Sequence, residues 1–382
     1  MSGSDSEVLR ARLLLGWLAE PGSRPMHELV AKHGPVEALA RLVSGGGPKD
    51  LTAAVATRLA GQDPRRVVEH LLAQAKRLGA TLLTPESPHW PVALDDLKRL
   101  DERDSCPPQA LWIRGHIRLD EACQRAVAIV GARASTPYGE HVASEMAYEL
   151  AERGWTVVSG GAYGIDAAAH RGALAAHGIT VAVMAGGVDR LYPSGNSALL
   201  EKIAERGLLI SEWPPTAAPH RVRFLTRNRV IAALTRGTVV VEAGARSGAR
   251  QTLGRARKLG RRVMAVPGPV TSSMSAGCHE ELRRDGDDGA RLVTNAAEVL
   301  EEIGSVGDDL APRPQGEQRA YDSLNRTELA ILDATPRRPP ATVAAIAAAA
   351  GVSALHASVA LPSLELRGFV RVDRGGRYRL NP

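Results

Sequence analysis

Six short apolar runs recur between Val127 and Val266, and segments of helical length separate them. The runs are Val127–Val130, Thr156–Val158, Thr180–Met184, Leu208–Ile210, Thr238–Val241 and Arg262–Val266. Between them lie Tyr138–Arg153, Ile165–His177, Ser197–Arg206, Asn228–Thr235 and Ala249–Leu259. Strands alternating with helices form a parallel sheet covered on both faces, so the pattern predicts a doubly wound, mostly parallel α/β fold. The runs end in Gly131-Ala132-Arg133, Ser159-Gly160-Gly161, Ala185-Gly186-Gly187, Ser211-Glu212, Glu242-Ala243-Gly244 and Pro267-Gly268. In open α/β sheets ligands bind outside the carboxyl ends of the strands. The glycines, arginines and acids are therefore expected to converge on one edge.

The stretch Trp155–Ala176 shows the unit at its clearest: a β-branched run, the Ser159-Gly160-Gly161 break, Gly164, then an alanine-rich helix. Such a turn points backbone N–H groups and a helix N-terminus at whatever sits above it, which suits an anion. It equally suits a tight connection in which glycine allows close packing. The residues after the first strand are not the glycine triple of a dinucleotide site, and no phosphate-binding loop with its Lys-Ser/Thr is present. Asp166 and His170 sit four apart on one helical face. They are either an acid/base pair or groups that hold the helix start; without a placed nucleophile or metal cluster the second reading is favoured. Glu212 and Glu242 end strands, and each is either a base or a partner that fixes Arg227, Arg229 or Arg133. No catalytic set, metal site or cofactor is expected.

Charge distribution narrows the ligand. The 382 residues carry a net +6. From His220 to Arg262 there are twelve Lys and Arg against Glu242 alone, so that segment is +11 and the remainder −5. A basic block in an otherwise acidic chain is a footprint for a polyanion. Cys106, Cys123 and Cys278 are widely spaced, which fits a reducing cytoplasm rather than a disulfide framework or a metal site. The N-terminus lacks a signal pattern and no run approaches a membrane span, so a cytoplasmic location without membrane contact is expected.

Domain organisation follows from punctuation. Residues 1–80 read as a module of small helices, broken at Pro21-Gly22, Gly34-Pro35 and Gly45–Pro48. Residues 81–304 hold a proline-punctuated arm, with Leu111–Ile113 as a short strand, and then the α/β domain. A polar linker is expected over 305–320. Residues 321–382 read as helix Arg326–Asp333, helices Thr342–Ala350 and Ser353–Arg367 around Gly351, and a hairpin over Val370–Leu380 with Gly375-Gly376 at its tip. That succession is a winged helix. Duplex binding and protein contact remain equally open for it, because its third helix is weakly charged.

The residues also carry a family resemblance. VAIVGAR at Val127–Arg133, TPYG at Thr136–Gly139, VSGGAYGIDAAAH at Val158–His170, Tyr192-Pro193 with Asn196, Ser211-Glu212, Phe224 with Arg227-Asn228-Arg229, VVEA at Val240–Ala243, Ser247-Gly248 and AVPG at Ala265–Gly268 resemble the DNA-processing protein A family, also called Smf. The match runs from about Trp90 to Val293, in order and at the family's spacing. The front module, SAM-like, and the winged helix match a common arrangement of that family. The resemblance implies an extended Rossmann-like domain that binds single-stranded DNA, forms a homodimer, and loads the recombinase RecA onto DNA coated by single-strand binding protein, as in natural transformation. It implies no enzyme. The DNA pocket it implies comprises Gly131, Arg133, Ser159, Gly160, Gly161, Gly164, Asp166, Arg227, Asn228, Arg229, Ser247 and Gly248. His170, Glu212, Glu242, Tyr192, Asn196 and Phe224 are supporting residues. Departures are Ala132 for the usual serine, Leu225 for proline, Thr252-Leu253 for Thr-Ala, and a divergent stretch over Gly277–Ala290.

Two other functions fit parts of the pattern. A nucleotide-cleaving phosphoribohydrolase shares a related sheet, but its Pro-Gly-Gly-x-Gly-Thr loop is missing; Gly186-Gly187 is the nearest approach. A winged-helix transcription regulator would need its basic charge in the C-terminal domain, whereas most lies outside it.

Overall fold

The computed structural model describes residues 3–102, 104–284, 286–305, 309 and 320–381. The expected linker, 305–320, lies almost wholly outside the described residues. The chain divides into two compact units, Met1–Ala311 and Pro312–Pro382.

The first unit begins with helices α1 (Gly3–Leu18), α2 (Arg24–His33), α3 (Pro35–Val43), α4 (Lys49–Leu59) and α5 (Pro64–Arg77). Strands β1 (Ala80–Leu83) and β2 (Leu111–Gly115) and helix α6 (Leu119–Gln124) follow. The alternating region comprises β3 (Ala126–Gly131), α7 (Pro137–Glu152), β4 (Thr156–Ser159), α8 (Ile165–Ala175), β5 (Thr180–Val183), α9 (Ser197–Arg206) and β6 (Leu208–Ser211). It continues with α10 (Arg221–Ala233), β7 (Gly237–Val241), α11 (Gly248–Lys258) and β8 (Arg262–Ala265), then α12 (Ala276–Leu282), β9 (Arg291–Leu292) and α13 (Ala296–Ile303).

All nine strands form one sheet in the order β1-β2-β6-β5-β4-β3-β7-β8-β9. Seven run parallel; β1 and β2 are antiparallel additions at one edge. The doubly wound, mostly parallel sheet is thus present. The proline-rich arm proves to be part of it, because Trp112 pairs with Ser211 and Ala80 with Arg114.

The two-residue period of the strands sorts side chains between the layers. Ala128, Val130 and Val240 pack with Ile231 of α10 and Leu253 of α11. Val127, Ile129, Val239 and Val241 pack on the opposite face with Leu150 of α7, Ala169 of α8 and Leu300 of α13. Leu14, Val30, Leu42 and Leu71 of the front helices share a core with Trp112 of β2 and Leu200 of α9, so the helical module packs directly on the sheet. From β3 the chain winds one way through β4, β5 and β6, and the other way through β7, β8 and β9. The loops after β3 and β7 therefore part, which opens a crevice at the switch point.

One boundary differs in a way that matters. The helix expected over Asn228–Thr235 begins at Arg221. Arg227, Asn228 and Arg229 thus sit in mid-helix rather than at its start, and nine of its residues are buried, including all three. The divergent stretch forms α12, whose buried Glu281 binds Arg250 and Arg257 at 3.0 and 2.6 Å and so ties α12 to α11.

The second unit contains α14 (Arg326–Ala334), α15 (Val343–Ala350), α16 (Ala354–Leu366) and the antiparallel pair β10 (Val370–Val372) and β11 (Tyr378–Leu380). Asn325 and Glu328 form a capping box on α14, and Gly351, at φ +66°, breaks α15 from α16. Its core holds Ile331, Ile346, Leu361 and Val370.

Candidate nucleic-acid interface

The crevice is a cleft of about 590 Å³ over the carboxyl ends of β3 and β7. Gly131, Arg133, Asp166, Tyr192, Phe224, Arg227, Asn228, Ser247 and Gly248, all expected from the sequence, line it. Ser159, Gly160, Gly161, Gly164 and Arg229 do not, nor do His170, Asn196, Glu212 or Glu242.

The glycine loop after β4 is braced from within. Gly160 and Ala162 donate their N–H groups to the Asp166 carboxylate at 3.1 and 3.4 Å. Asn196, buried, donates to the Gly161 and Ala162 carbonyls at 3.0 and 3.1 Å. Arg227 donates to the Gly160 carbonyl at 2.9 Å and also to that of Val183. A Cβ on Gly160 would lie 2.3 Å from the Arg227 guanidinium, so glycine is required for this approach. Two amides of the loop expected to face an outside anion therefore hold the chain's own carboxylate. Burial raises the Asp166 carboxyl above its usual range, with Arg227 and the amides pulling the other way. Burial lowers the Arg227 guanidinium to about 10. The charges of the two side chains favour each other at the cleft floor, against the burial that disfavours both.

His170 is separate from Asp166. The Thr180 hydroxyl donates to the Val157 carbonyl at 2.7 Å, so it accepts from His170 Nδ1, also at 2.7 Å. Burial lowers this imidazole to about 3. A neutral, fully buried histidine holding β5 to α8 fits the structural alternative.

Arg229 is 0% exposed. It pairs with Glu212 at 2.6 Å and donates to the Asp104 carbonyl at 3.1 Å. Glu242 occupies φ +54° and accepts from the Thr136 N–H and hydroxyl at 2.8 and 2.5 Å, which braces the start of α7. Of the alternatives open for the two glutamates, the structure shows the pairing one for Glu212 and a capping contact for Glu242. The expectation that Arg229 reaches a phosphate is corrected by its burial: Glu212 and the Asp104 carbonyl engage its guanidinium inside the protein.

What the cleft presents outward is different. Arg133, Arg221 and Arg246 are exposed on its walls, and among the described residues none has a carboxylate partner. The Arg133 guanidinium lies 4.8 Å from the Phe224 ring centroid, and Phe224 lies 5.6 Å from Tyr192, itself 48% exposed. Asn228 donates to the Gly248 carbonyl at 3.4 Å and joins the two walls. Arg221, Arg246, His220 and Gln251 were not singled out in the sequence. The first two belong to the basic block, but charge counting does not tell an exposed arginine from a buried one. Among the described residues no group of three or more His, Cys, Asp or Glu could hold a metal ion, and no single helix is long and apolar enough to cross a membrane.

A family model described as DNA recombination-mediator protein A matches residues 81–304. A DNA processing protein DprA of Mycobacterium tuberculosis is 46% identical over 378 residues, 97% of this chain and 94% of that one. The X-ray structure of DNA processing protein A from Streptococcus pneumoniae is similar with a TM-score of 0.62 and 30% identity, covering 76% of this chain and 96% of that one. A structure of DNA processing protein A from Helicobacter pylori, described for its single-stranded DNA binding mode, has a TM-score of 0.50 and 29% identity, covering 58% of this chain and 94% of that one.

Proposed function

The chain belongs to the DNA recombination-mediator protein A family, and from that premise we propose that it binds single-stranded DNA in the switch-point cleft and passes it to a recombinase without cutting it. The observation that carries this reading is the set of exposed arginines, Arg133, Arg221 and Arg246, beside the Tyr192–Phe224 pair. Guanidinium groups without carboxylate partners attract phosphates, and aromatic faces stack bases of any sequence. A flexible strand can bring successive phosphates to arginines around a cleft, whereas a rigid duplex cannot. The relative from Helicobacter pylori, described as binding single-stranded DNA, supports the same ligand.

The wider role follows the family. The chain works in the cytoplasm as a homodimer, takes strands coated by single-strand binding protein, and loads RecA, which serves natural transformation in a competent host. The C-terminal unit, three helices and a hairpin, is a winged helix.

The test is binding to matched single- and double-stranded oligonucleotides across a range of salt. The triple variant Arg133→Ala, Arg221→Ala, Arg246→Ala should weaken single-strand binding. It should also flatten the plot of log affinity against log salt by about 2, at about 0.7 per lost phosphate contact. Arg374→Ala with Arg377→Ala in the hairpin should do much less. The reverse result would place the DNA site in the C-terminal unit.

A further inference from the structure

A second groove, of about 1040 Å³, lies on the other side of the segment that walls the cleft. Its floor is the loop 214–218, and its far wall is built from α1, α4 and α5 of the front helices. His220 lines both cavities, so the two are neighbours along one stretch of surface.

The groove is basic and holds an aromatic platform. Arg58, Arg66 and Arg223 line it against one acid, Asp63. Asp63 is already engaged, accepting from the Arg65 N–H at 2.9 Å as the cap of α5. Glu20, outside the lining, pairs with Arg223 at 2.6 Å and Arg58 at 3.4 Å. Arg66 is exposed and has no carboxylate partner among the described residues. The Arg58 guanidinium lies 5.6 Å from the centroid of the half-buried Trp17 ring. Gln74 adds a specific signal. Its Nε2 meets His70 Nε2 at 2.9 Å, while its Oε1 is buried with no hydrogen-bond partner among the described residues. A buried acceptor left unpaired is unfavourable, and a ligand that brings an N–H donor would satisfy it.

We propose that this groove is a second subsite for the same DNA strand, holding the nucleotides that pass beyond His220 from the cleft. The inference rests on the cleft being the primary single-strand site. A phosphate reaches Arg66, a base stacks beside Trp17 and Arg58, and the Gln74 amide turns toward the groove so that Oε1 accepts the N–H of that base. The front helices thereby extend the DNA path, and the length of strand held exceeds what the cleft alone can hold.

Anisotropy titrations with a short oligothymidine of about 4 nucleotides and a long one of about 24 test this, since single-strand sites commonly span about 4–16 nucleotides. The long strand should bind the full chain more tightly than the short one. Arg66→Glu should lower long-strand affinity about tenfold and flatten its salt slope by about 0.7, with short-strand affinity unchanged. Gln74→Leu, which removes the unpaired acceptor, should lower long-strand affinity without changing the salt slope. Long-strand affinity unaffected by Arg66→Glu, or short-strand affinity falling equally, would overturn the proposal. Failure of the unaltered chain to bind either strand would instead refute the cleft reading, and this proposal with it.

Discussion

Replacing Arg229 by alanine is the sharpest test of whether the arginines of α10 are ligands or supports. Arg229 is fully buried, and its partner Glu212 is nearly so, with side-chain exposures of 0% and 4%. Removing one member of such a pair leaves the other charge buried without compensation, a loss of about 3–5 kcal/mol. The Asp104 carbonyl also loses its donor. With a urea slope of about 3 kcal/mol per M, a loss of about 4 kcal/mol lowers the unfolding midpoint by roughly 1.3 M. DNA affinity should fall only as far as the folded fraction falls. The double variant Arg229→Met, Glu212→Gln removes both charges and should recover most of the midpoint, because replacing a buried pair by packed neutral groups is often close to neutral. Urea melts followed by tryptophan fluorescence, with single-strand titrations at low urea, separate the two effects. An Arg229→Ala variant with an unchanged midpoint but no DNA binding would refute the argument and make Arg229 a DNA contact.

Three further outcomes are expected. His170 has its folded-state imidazole lowered to about 3 from an ordinary 6.5, so the unfolded chain binds the extra proton and stability is lost as pH falls from 6.5 towards 3. Between pH 6.5 and 5 that loss is about 1.6 kcal/mol, and His170→Gln should abolish its share of the slope in urea melts at the two pH values. Gly160→Ala should displace Arg227 from the Gly160 carbonyl and lower the melting temperature, whereas Gly248→Ala, where a Cβ meets nothing within 4 Å, should not. A chain ending near Gly316 should melt as the full first unit does. One ending at Gly304 loses Asp309, which accepts from Trp155 Nε1 at 3.1 Å and pairs with Arg125, and should be less stable by about 1–2 kcal/mol.

Periodicity and punctuation made most of the fold legible. The six apolar runs from Val127 to Val266 all lie in parallel strands or run on from their ends, and the helix–turn–helix and hairpin of the C-terminal unit appear where their breaks fall. These signals are local: a residue's face follows from its neighbours in the chain. The edge at which the glycine turns and the cleft lie was also readable, because strand ends in a parallel sheet all point one way. The pairing of β2 with β6 was not, since that contact joins residues about a hundred positions apart.

The same division runs through the site. Sequence alone showed a basic block and a row of glycine turns, and it placed Arg133, Tyr192 and Phe224 at the cleft. It did not separate Arg229 from Arg221, which are the same residue type eight positions apart in one helix. Only the packed structure does so, because Glu212 and the Asp104 carbonyl arrive from distant segments to meet one guanidinium, while solvent meets the other. Nor could it show that Asp166 takes the loop amides an outside anion would need. Which charges are engaged inside and which remain for a partner is decided by three-dimensional complementarity, and that information exists only once the chain has folded.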